Sequence, residues 1–314
     1  QGLVIPEEYG GEGFGCTELA LVLEEAGAAL LPGPFFTSAV LTASVLLHSA
    51  DEVLKKRYLP GIASGHTIGT VALTERSGRW DLEHIETRAE TVADGWVLTG
   101  TKHYVPDGLV ADLVLVVART DDGLGVFCVD DAHALQRRAQ STLDQTRRQA
   151  VIDLTATPAT RVAASTADLN RALARAATGL AAEQVGGAQR CLDQAVSYVK
   201  VRHQFGRPIG SFQAIRHRCA DLMLEIECAR GAVQYAAYAA DVAPEVLPAA
   251  AALAKAHCSE VYLRAAAANI QLHGGIGFTW EHPAHMYFKR AESSAQLLGD
   301  ADHHRRLLAD RVGL

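Results

Sequence analysis

Two long apolar repeats, separated by a short turn rich in glycine and proline, constrain the fold of this chain more than any other feature. Before the turn, apolar residues alternate spacings of four and three at Ala181, Val185, Ala188, Leu192, Ala195 and Val199. The spacing resumes after the turn at Ile215, Cys219, Leu222, Ile226, Ala229 and Val233. Such spacing places apolar side chains on one face of a helix. With Gly206, Pro208 and Gly210 between the repeats and Ser211 as the next N-cap, the sequence predicts an antiparallel helix pair.

The turn between these helices also carries polar and aromatic side chains. Arg202, Phe205 and Gln213 supply a guanidinium, an aromatic face and an amide within one short stretch. This set suits a diphosphate and a flat heterocycle, because a guanidinium binds phosphate oxygens in pairs. A helical hairpin with a polar tip accounts for the same residues, and spacing alone favours that simpler interpretation.

The rest of the chain predicts an α+β protein of three domains. Residues 1–65 are expected to form an N-terminal helical domain, with Asp51 as the N-cap of one helix. Over residues 66–165 the apolar period is two, and the Asp94-Gly95 and Asp122-Gly123 pairs are typical of hairpin turns, so we expect an antiparallel β domain. Residues 166–314 are predicted to form a four-helix-type bundle, because a third repeat follows at Ala254, Cys258, Val261, Ala265, Ala268 and Leu272.

Composition excludes several classes of function. A net charge of -7 over 314 residues and a pI of about 6.0 argue against nucleic acid as a partner, and no apolar run is long enough to span a bilayer. The six cysteines form no Cys-x-x-Cys pair and predict buried thiols in a reducing cytoplasm. His303 and His304 lack partners at metal-binding spacing, so we expect solvated histidines and no metal site. Because the chain begins at Gln1, we expect that its natural start is missing.

Six short motifs, in a fixed order, make the chain resemble the acyl-CoA dehydrogenases. They are residues 6–11 (Pro-Glu-Glu-Tyr-Gly-Gly), 72–75 (Ala-Leu-Thr-Glu), 100–102 (Gly-Thr-Lys), 202–206 (Arg-His-Gln-Phe-Gly) with Gln213-Ala214, Ala220-Asp221, and 271–278 (Gln-Leu-His-Gly-Gly-Ile-Gly-Phe). The resemblance implies binding of FAD and of coenzyme A thioesters, with an electron-transfer flavoprotein as acceptor. It also implies a reaction in which a carboxylate removes the α proton while hydride leaves the β-carbon for the flavin.

In this family each FAD lies at a subunit interface, and the neighbouring chain contributes part of its site. The residues contributed in this way match a set that is fully present here: Arg202, Phe205, Gln213, Gln271, Gly274 and Gly275. Thr74 matches a residue with which a member holds its own flavin. The resemblance therefore implies that this chain can clamp the adenosine-diphosphate part of FAD.

Other elements depart from the family pattern. Trp80 stands where a small hydroxyl residue usually meets the cofactor, and Pro106 stands where a threonine usually offers a hydroxyl and an N–H. At the usual position of the catalytic base the chain has Leu298, which cannot accept a proton.

No replacement for the base is evident in the sequence. At the alternative position used by some members, early in the first bundle helix, the chain has Ala176 and Ala177. Glu183 lies seven residues after Ala176, and Asp300 lies two residues after Leu298, so these two remain as candidates for a displaced base.

An intact set of contributed residues beside a damaged catalytic set suggests that this chain completes the active site of a partner. We expect a subunit of a heteromeric acyl-CoA dehydrogenase of actinobacterial type, in an α2β2 assembly, whose second chain carries the base. Two alternatives stay open: a homo-oligomer that uses Glu183 or Asp300 as base, and a non-catalytic scaffold or acyl-CoA-binding protein that has kept only the fold.

Overall fold

The computed structural model describes residues 1–93 and 95–313. Its α-helices are α1 (Cys16–Ala28), α2 (Ala43–His48), α3 (Glu52–Ser64), α4 (Thr166–Val201), α5 (Gln213–Val242), α6 (Leu247–His273), α7 (Ala284–Gln296) and α8 (Ala301–Val312). Its strands are β1 (Gly69–Ala72), β2 (Arg88–Val92), β3 (Gly95–Pro106), β4 (Leu113–Thr120), β5 (Gly123–Val129), β6 (Gln136–Gln140), β7 (Gln149–Arg161), β8 (His203–Gln204) and β9 (Arg207–Pro208). The predicted order of helices, sheet and helical bundle is confirmed.

The described residues divide into two compact units, one formed by residues 1–15 and 32–176 and the other by residues 16–31 and 177–314. The predicted domain limits at 65 and 165 stay a prediction. In the first unit the Asp51 side chain caps α3 by accepting a hydrogen bond from the Leu54 N–H at 3.0 Å, as the sequence predicts. Throughout the described ranges, no helix combines the length and apolar character needed to cross a membrane.

The sheet of the first unit is mixed, whereas the sequence predicted an antiparallel one. Strand β4 pairs in parallel with both β1 and β2, and the remaining pairings of this sheet are antiparallel. A parallel pair joins segments that are far apart in the chain, so no local turn signal announces it. The predicted Asp122-Gly123 turn does connect β4 to β5, with Thr120 opposite Gly123. The other predicted turn includes Asp94, which lies outside the described residues, although Val92 pairs with Gly95 beside it.

The second unit contains the predicted bundle. The predicted faces of α4 and α6 are buried along their full length, as are Leu222, Ile226, Ala229 and Val233 of α5. The prediction that the cysteines are buried is wrong for Cys228, which is exposed, and only half right for Cys219, which is half-buried. Cys219 packs against the buried cluster of Ala195, Val199 and Leu272, whereas Cys228 lies on the exposed face of α5.

The N-terminus of α5 differs from the prediction. The helix begins at Gln213, so Phe212 rather than Ser211 occupies the N-cap position. The Ser211 hydroxyl instead donates to the Pro208 carbonyl at 2.7 Å, within a short 3-10 turn over Ile209–Ser211. The proline-containing turn before α5 therefore uses the hydroxyl that the sequence assigned to the helix.

Two glycines allow α1 and α4 to touch through their backbones. A Cβ atom on Gly27 would lie 1.9 Å from the Glu183 carbonyl oxygen, and one on Gly186 would lie 1.7 Å from the Glu24 carbonyl oxygen. No side chain can be accommodated at these distances, because the obstructing atoms belong to the backbone of the other helix.

This contact predicts that Gly186→Ala destabilises the protein by about 2 kcal/mol or more, because the added methyl group forces the helices apart. Ser197→Ala, at an exposed position of the same helix, should change stability by less than about 0.5 kcal/mol. Denaturant unfolding followed by circular dichroism measures both. Equal stability of the two variants would contradict the close approach of the helices.

Candidate cofactor clamp and the position of the base

The predicted turn after α4 is a tight β-hairpin that presents an aromatic ring to solvent. Strands β8 and β9 pair through Gln204 and Arg207, so Phe205 and Gly206 form the two-residue loop. Their φ angles are +55° and +75°, as in the type I′ turns of hairpins. A bulky residue at positive φ is strained. The Phe205 side chain is nevertheless 90% exposed, so little packing within this chain offsets the strain. Strain combined with exposure indicates a ring that is held ready for a ligand or partner.

The second segment of the predicted clamp follows α6. Gln271 is exposed near the end of this helix, and a 3-10 turn over Gly274–Phe278 comes next. Gly274 has φ +64° and ψ -140°, a conformation open essentially only to glycine. A Cβ atom on Gly274 or Gly275 would meet nothing within 4 Å, so both glycines leave open space beside the backbone. Another molecule can therefore approach these N–H groups closely.

Packing within the bundle brings the two segments to the same end. The Tyr198 ring stacks on the His273 ring with 4.3 Å between centroids. Val199 and Leu272 belong to one buried cluster, against which Ile209 packs from the 3-10 turn after the hairpin. The six residues carried by these segments are all exposed: Arg202, Phe205, Gln213, Gln271, Gly274 and Gly275. This end of the bundle thus offers a guanidinium, an aromatic face, two amides and open backbone, which fits the adenosine-diphosphate part of FAD.

Sequence reasoning missed further apolar groups at this end. Phe278, the last residue of the glycine-rich turn, and Trp280, two residues beyond it, are 81% and 77% exposed. The Lys289 ammonium lies 4.2 Å from the centroid of the Trp280 ring, a cation–π contact that orients the indole. The available signal was the occurrence of two large aromatic residues within six residues of the Gly274-Gly275 pair.

Thr74 lies in the first unit, where its hydroxyl already has a partner. The buried Thr74 Oγ1 donates to the His103 carbonyl at 2.7 Å, which leaves only the oxygen lone pairs for a ligand. The neighbouring Glu75 accepts hydrogen bonds from the Lys102 ammonium at 2.8 Å and from Thr87. Burial raises the pKa of the Glu75 carboxyl, but the charge and hydrogen bonds of Lys102 and Thr87 together lower it to about 2. The role of Thr74 in cofactor binding stays a prediction.

The segment that replaces the usual flavin-facing motif is irregular. The register between β3 and β7 shifts between Lys102 and Val105, and Tyr104 has φ +55°. Pro106 is buried, and its carbonyl accepts a hydrogen bond from the Thr70 hydroxyl at 2.6 Å. Having no N–H and no hydroxyl, Pro106 offers a ligand neither of the donors of a threonine.

Leu298, at the usual position of the base, is a buried residue in a rigid turn. It has φ +62°, and its carbonyl accepts a hydrogen bond from His304 Nε2 at 2.9 Å. The fully buried Lys255 ammonium donates to the carbonyls of Ala295 at 3.2 Å and Gly299 at 3.0 Å. The buried side chains of Lys255 and His304 therefore hold the backbone around Leu298, whose own side chain cannot accept a proton.

The prediction that both histidines of the 303–304 pair are solvated is wrong for His304. Burial, followed by the charge of Lys255, lowers the pKa of His304 to about 3, so this ring is neutral and donates through Nε2. Helix α8 turns one histidine of the adjacent pair toward Leu298. Among the described residues, no group of three or more His, Cys, Asp or Glu side chains is arranged to hold a metal ion.

Both candidates for a displaced base have structural partners. The buried Glu183 carboxylate accepts from Arg290 Nη1 at 2.7 Å, and Arg290 also donates to the Leu31 carbonyl at 3.1 Å. Asp300 is exposed and caps α8 by accepting from the His303 N–H at 2.7 Å. Glu183 would have to leave its ion pair to accept a substrate proton, whereas Asp300 keeps a solvent-facing carboxylate.

The ion pair predicts that Glu183→Gln destabilises the protein by about 3 kcal/mol, because it leaves the Arg290 charge buried without a counter-ion. Glu227→Gln is a suitable control, since Glu227 pairs with Arg230 at an exposed position and should cost less than about 1 kcal/mol. The double variant Glu183→Leu with Arg290→Met should recover most of the loss. A stable but inactive Glu183→Gln protein would contradict the structural role.

Comparisons with known proteins agree with this architecture. Profiles of the acyl-CoA dehydrogenase N-terminal, middle and C-terminal domains match residues 1–66, 70–154 and 166–313. The chain is 38% identical over 310 residues to the acyl-CoA dehydrogenase IpdE2 of Mycobacterium tuberculosis, covering 99% of this chain and 82% of that protein.

Two solved structures of heteromeric systems are similar to this chain. One is a variant of the Tcur3481-Tcur3483 steroid ACAD, at 35% identity and a TM-score of 0.91, covering 99% of this chain and 85% of that one. The other is the ChsE4-ChsE5 complex from Mycobacterium tuberculosis, at 31% identity and a TM-score of 0.90, covering 98% of this chain and 83% of that one. The chain therefore belongs to the acyl-CoA dehydrogenase family, whose members are FAD-dependent oxidoreductases acting on acyl-CoA.

Proposed function

We propose that this chain is one subunit of a heteromeric FAD-dependent acyl-CoA dehydrogenase and contributes an adenosine-diphosphate clamp to a partner chain that carries the catalytic base. The observation that carries the proposal is the contrast between two positions of the bundle. The clamp residues are complete and exposed, whereas the position of the base holds the buried, apolar Leu298.

The chemistry of the clamp supports a cofactor bound between chains. Arg202 offers a planar set of donors that can bind two diphosphate oxygens at once. Phe205 can cover the adenosine side, and the open backbone at Gly274 and Gly275 can approach the phosphates. Because these groups face outward from the bundle, they are suited to a cofactor held mainly by another chain.

The chemistry at Leu298 supports the need for a partner. FAD, when bound, accepts the hydride that leaves the substrate β-carbon. The accompanying α proton requires a carboxylate, and Leu298 supplies none. The buried Lys255 and His304 side chains beside this position donate to backbone carbonyls, and neither supplies the missing carboxylate. A second chain with an intact base completes the reaction.

The relatives support the class of substrate and assembly. The similar structures include a steroid ACAD and a two-component complex, which favours an α2β2 enzyme acting on an acyl-CoA from lipid or steroid degradation. An electron-transfer flavoprotein is the proposed acceptor of the electrons. All six cysteines are free, which is in keeping with a reducing cytoplasm.

The proposal predicts that Arg202→Ala, in this chain co-expressed with its partner dehydrogenase, weakens FAD binding by about 10- to 100-fold, because a charge-assisted contact to the diphosphate is lost. Lys200→Ala, an exposed change at the end of α4, serves as the matched control and should leave FAD bound. Flavin absorbance per assembly and the rate of acyl-CoA oxidation measure the effect. Purification of this chain alone with one FAD per protomer and full activity would overturn the proposal.

The homo-oligomeric alternative gains some support from the exposed carboxylate of Asp300. Asp300→Asn separates the two roles of this residue, because asparagine caps a helix as well as aspartate does but cannot accept a proton. We expect the variant assembly to oxidise acyl-CoA at a rate within about twofold of wild type. A loss of about 100-fold or more with unchanged stability would identify Asp300 as the base.

A further inference from the structure

Two histidines join the ends of the segment that carries the glycine-rich turn. This segment connects the end of α6 at His273 to the start of α7, and both Gly274 and Gly275 lie within it. The centroids of the His273 and His282 rings are 4.2 Å apart. Because the His273 ring is itself buried and stacked on Tyr198 of α4, the contact fastens both ends of the segment to the bundle.

The His282 ring also completes the first turn of α7. Its Nδ1 atom accepts a hydrogen bond from the Ala284 N–H at 3.2 Å. The first N–H groups of a helix have no acceptor within the helix, and here a ring nitrogen supplies one. Only an unprotonated nitrogen can accept a hydrogen bond, so this contact requires the neutral ring. His273 differs, because its Nδ1 donates to the Asn269 carbonyl at 2.8 Å.

Histidines and a lysine, rather than carboxylates, surround the His282 ring. The groups that act on it are His273 at the end of α6 and His285 of α7, and Lys289 of α7 acts in turn on His285. Within the described ranges none of these four side chains takes part in an ion pair. Glu281, the neighbour of His282 in the chain, is exposed. A proton taken up by His282 would therefore add a positive charge without a counter-ion.

The packing of these rings disfavours their protonation. Burial, followed by the rings of His273 and His285, lowers the pKa of His282 below its ordinary 6.5. Burial and then the Lys289 charge lower the pKa of His285, whose buried Nδ1 has no hydrogen-bond partner in the part of the chain that the structure describes. The closed segment thus binds a proton less readily than an open one does. Its closed form is favoured at neutral pH and above, and it loses that advantage as the pH falls through the lowered pKa of His282.

We propose that His282 is a positioning residue of the cofactor clamp, whose neutral ring holds the segment of Gly274 and Gly275 closed and whose protonation opens it. When Nδ1 takes up a proton from solvent, the Ala284 N–H loses its acceptor and the charged ring lies beside His273 with no counter-ion. The segment then separates from the His273 ring, and the two glycines lose their fixed position. Only the last step, in which FAD loses backbone donors, rests on the proposed function.

The first test measures hydrogen exchange of residues 274–284 by mass spectrometry, in the full chain without FAD. Between about pH 7.5 and about pH 5.5 the protection factors should fall about tenfold in wild type, because opening takes up a proton. In His282→Asn and His282→Phe they should change by less than about twofold, since asparagine keeps an acceptor, phenylalanine keeps a ring, and neither titrates. Protection that is independent of pH in wild type, or that still falls in both variants, would overturn the proposal.

The second test measures the rate at which FAD leaves the assembly with the partner dehydrogenase, at the same two pH values. Wild type should release FAD about tenfold faster at the lower pH, whereas the two rates of His282→Asn should agree within about twofold. His66→Asn, which removes an exposed histidine of the first unit, should keep the wild-type pH dependence.

The outcomes of the second test separate this inference from the proposed function. Equal acceleration by acid in wild type and His282→Asn, with FAD binding still weakened by Arg202→Ala, would overturn the role of His282 and leave the clamp standing. FAD binding that is unaffected by Arg202→Ala would overturn the clamp and the link to FAD, but not the opening in acid that hydrogen exchange measures.

Discussion

The packing of α4 against α6 is the interaction on which the rest of the second unit depends. Tyr262 of α6 fits over Gly187 of α4, where any larger side chain would meet its ring at 2.4 Å. Buried amide contacts, such as that of Gln184 with Ser259 at 3.1 Å, fix the register of the two helices. At one end this register brings together the two segments of the clamp. Through Ser259, which contacts Lys255 at 2.9 Å, it also positions the cation that holds the turn at Leu298.

Two buried cations, Arg290 and Lys255, serve structure in this chain. Arg290 is neutralised by Glu183, so one of the two carboxylates that the sequence offers as a displaced base belongs to an ion pair. Lys255 donates to one backbone carbonyl in the last turn of α7 and to another, that of Gly299, between α7 and α8. Desolvating a charge is costly, and each of these contacts offsets that cost. Both cations therefore stabilise a bundle whose function we assign to its outer surfaces.

The surfaces of the bundle carry two different kinds of apolar exposure. At the clamp, Phe205 is held in a strained turn, and such strain persists only where the surrounding structure enforces it. Along α5 the exposed residues lie on an unstrained helix and repeat with helical spacing. The first pattern suits a single ligand with a flat ring, and the second suits another helix.

The sequence by itself determined the features that depend on neighbouring residues. The apolar repeats identified the buried faces of α4 and α6, Asp51 was recognisable as a cap, and the clamp motifs named the groups that meet at one end of the bundle. Only the tertiary structure decided the parallel pairing of β1 with β4 and the ion pair of Glu183 with Arg290, which are 107 residues apart. Local patterns report which face of an element is apolar, because they arise within a few turns of the chain. Which residue pairs with a buried charge, or which strand pairs with a sheet edge, depends on how distant segments of the chain meet. Those meetings are determined only when the whole core packs.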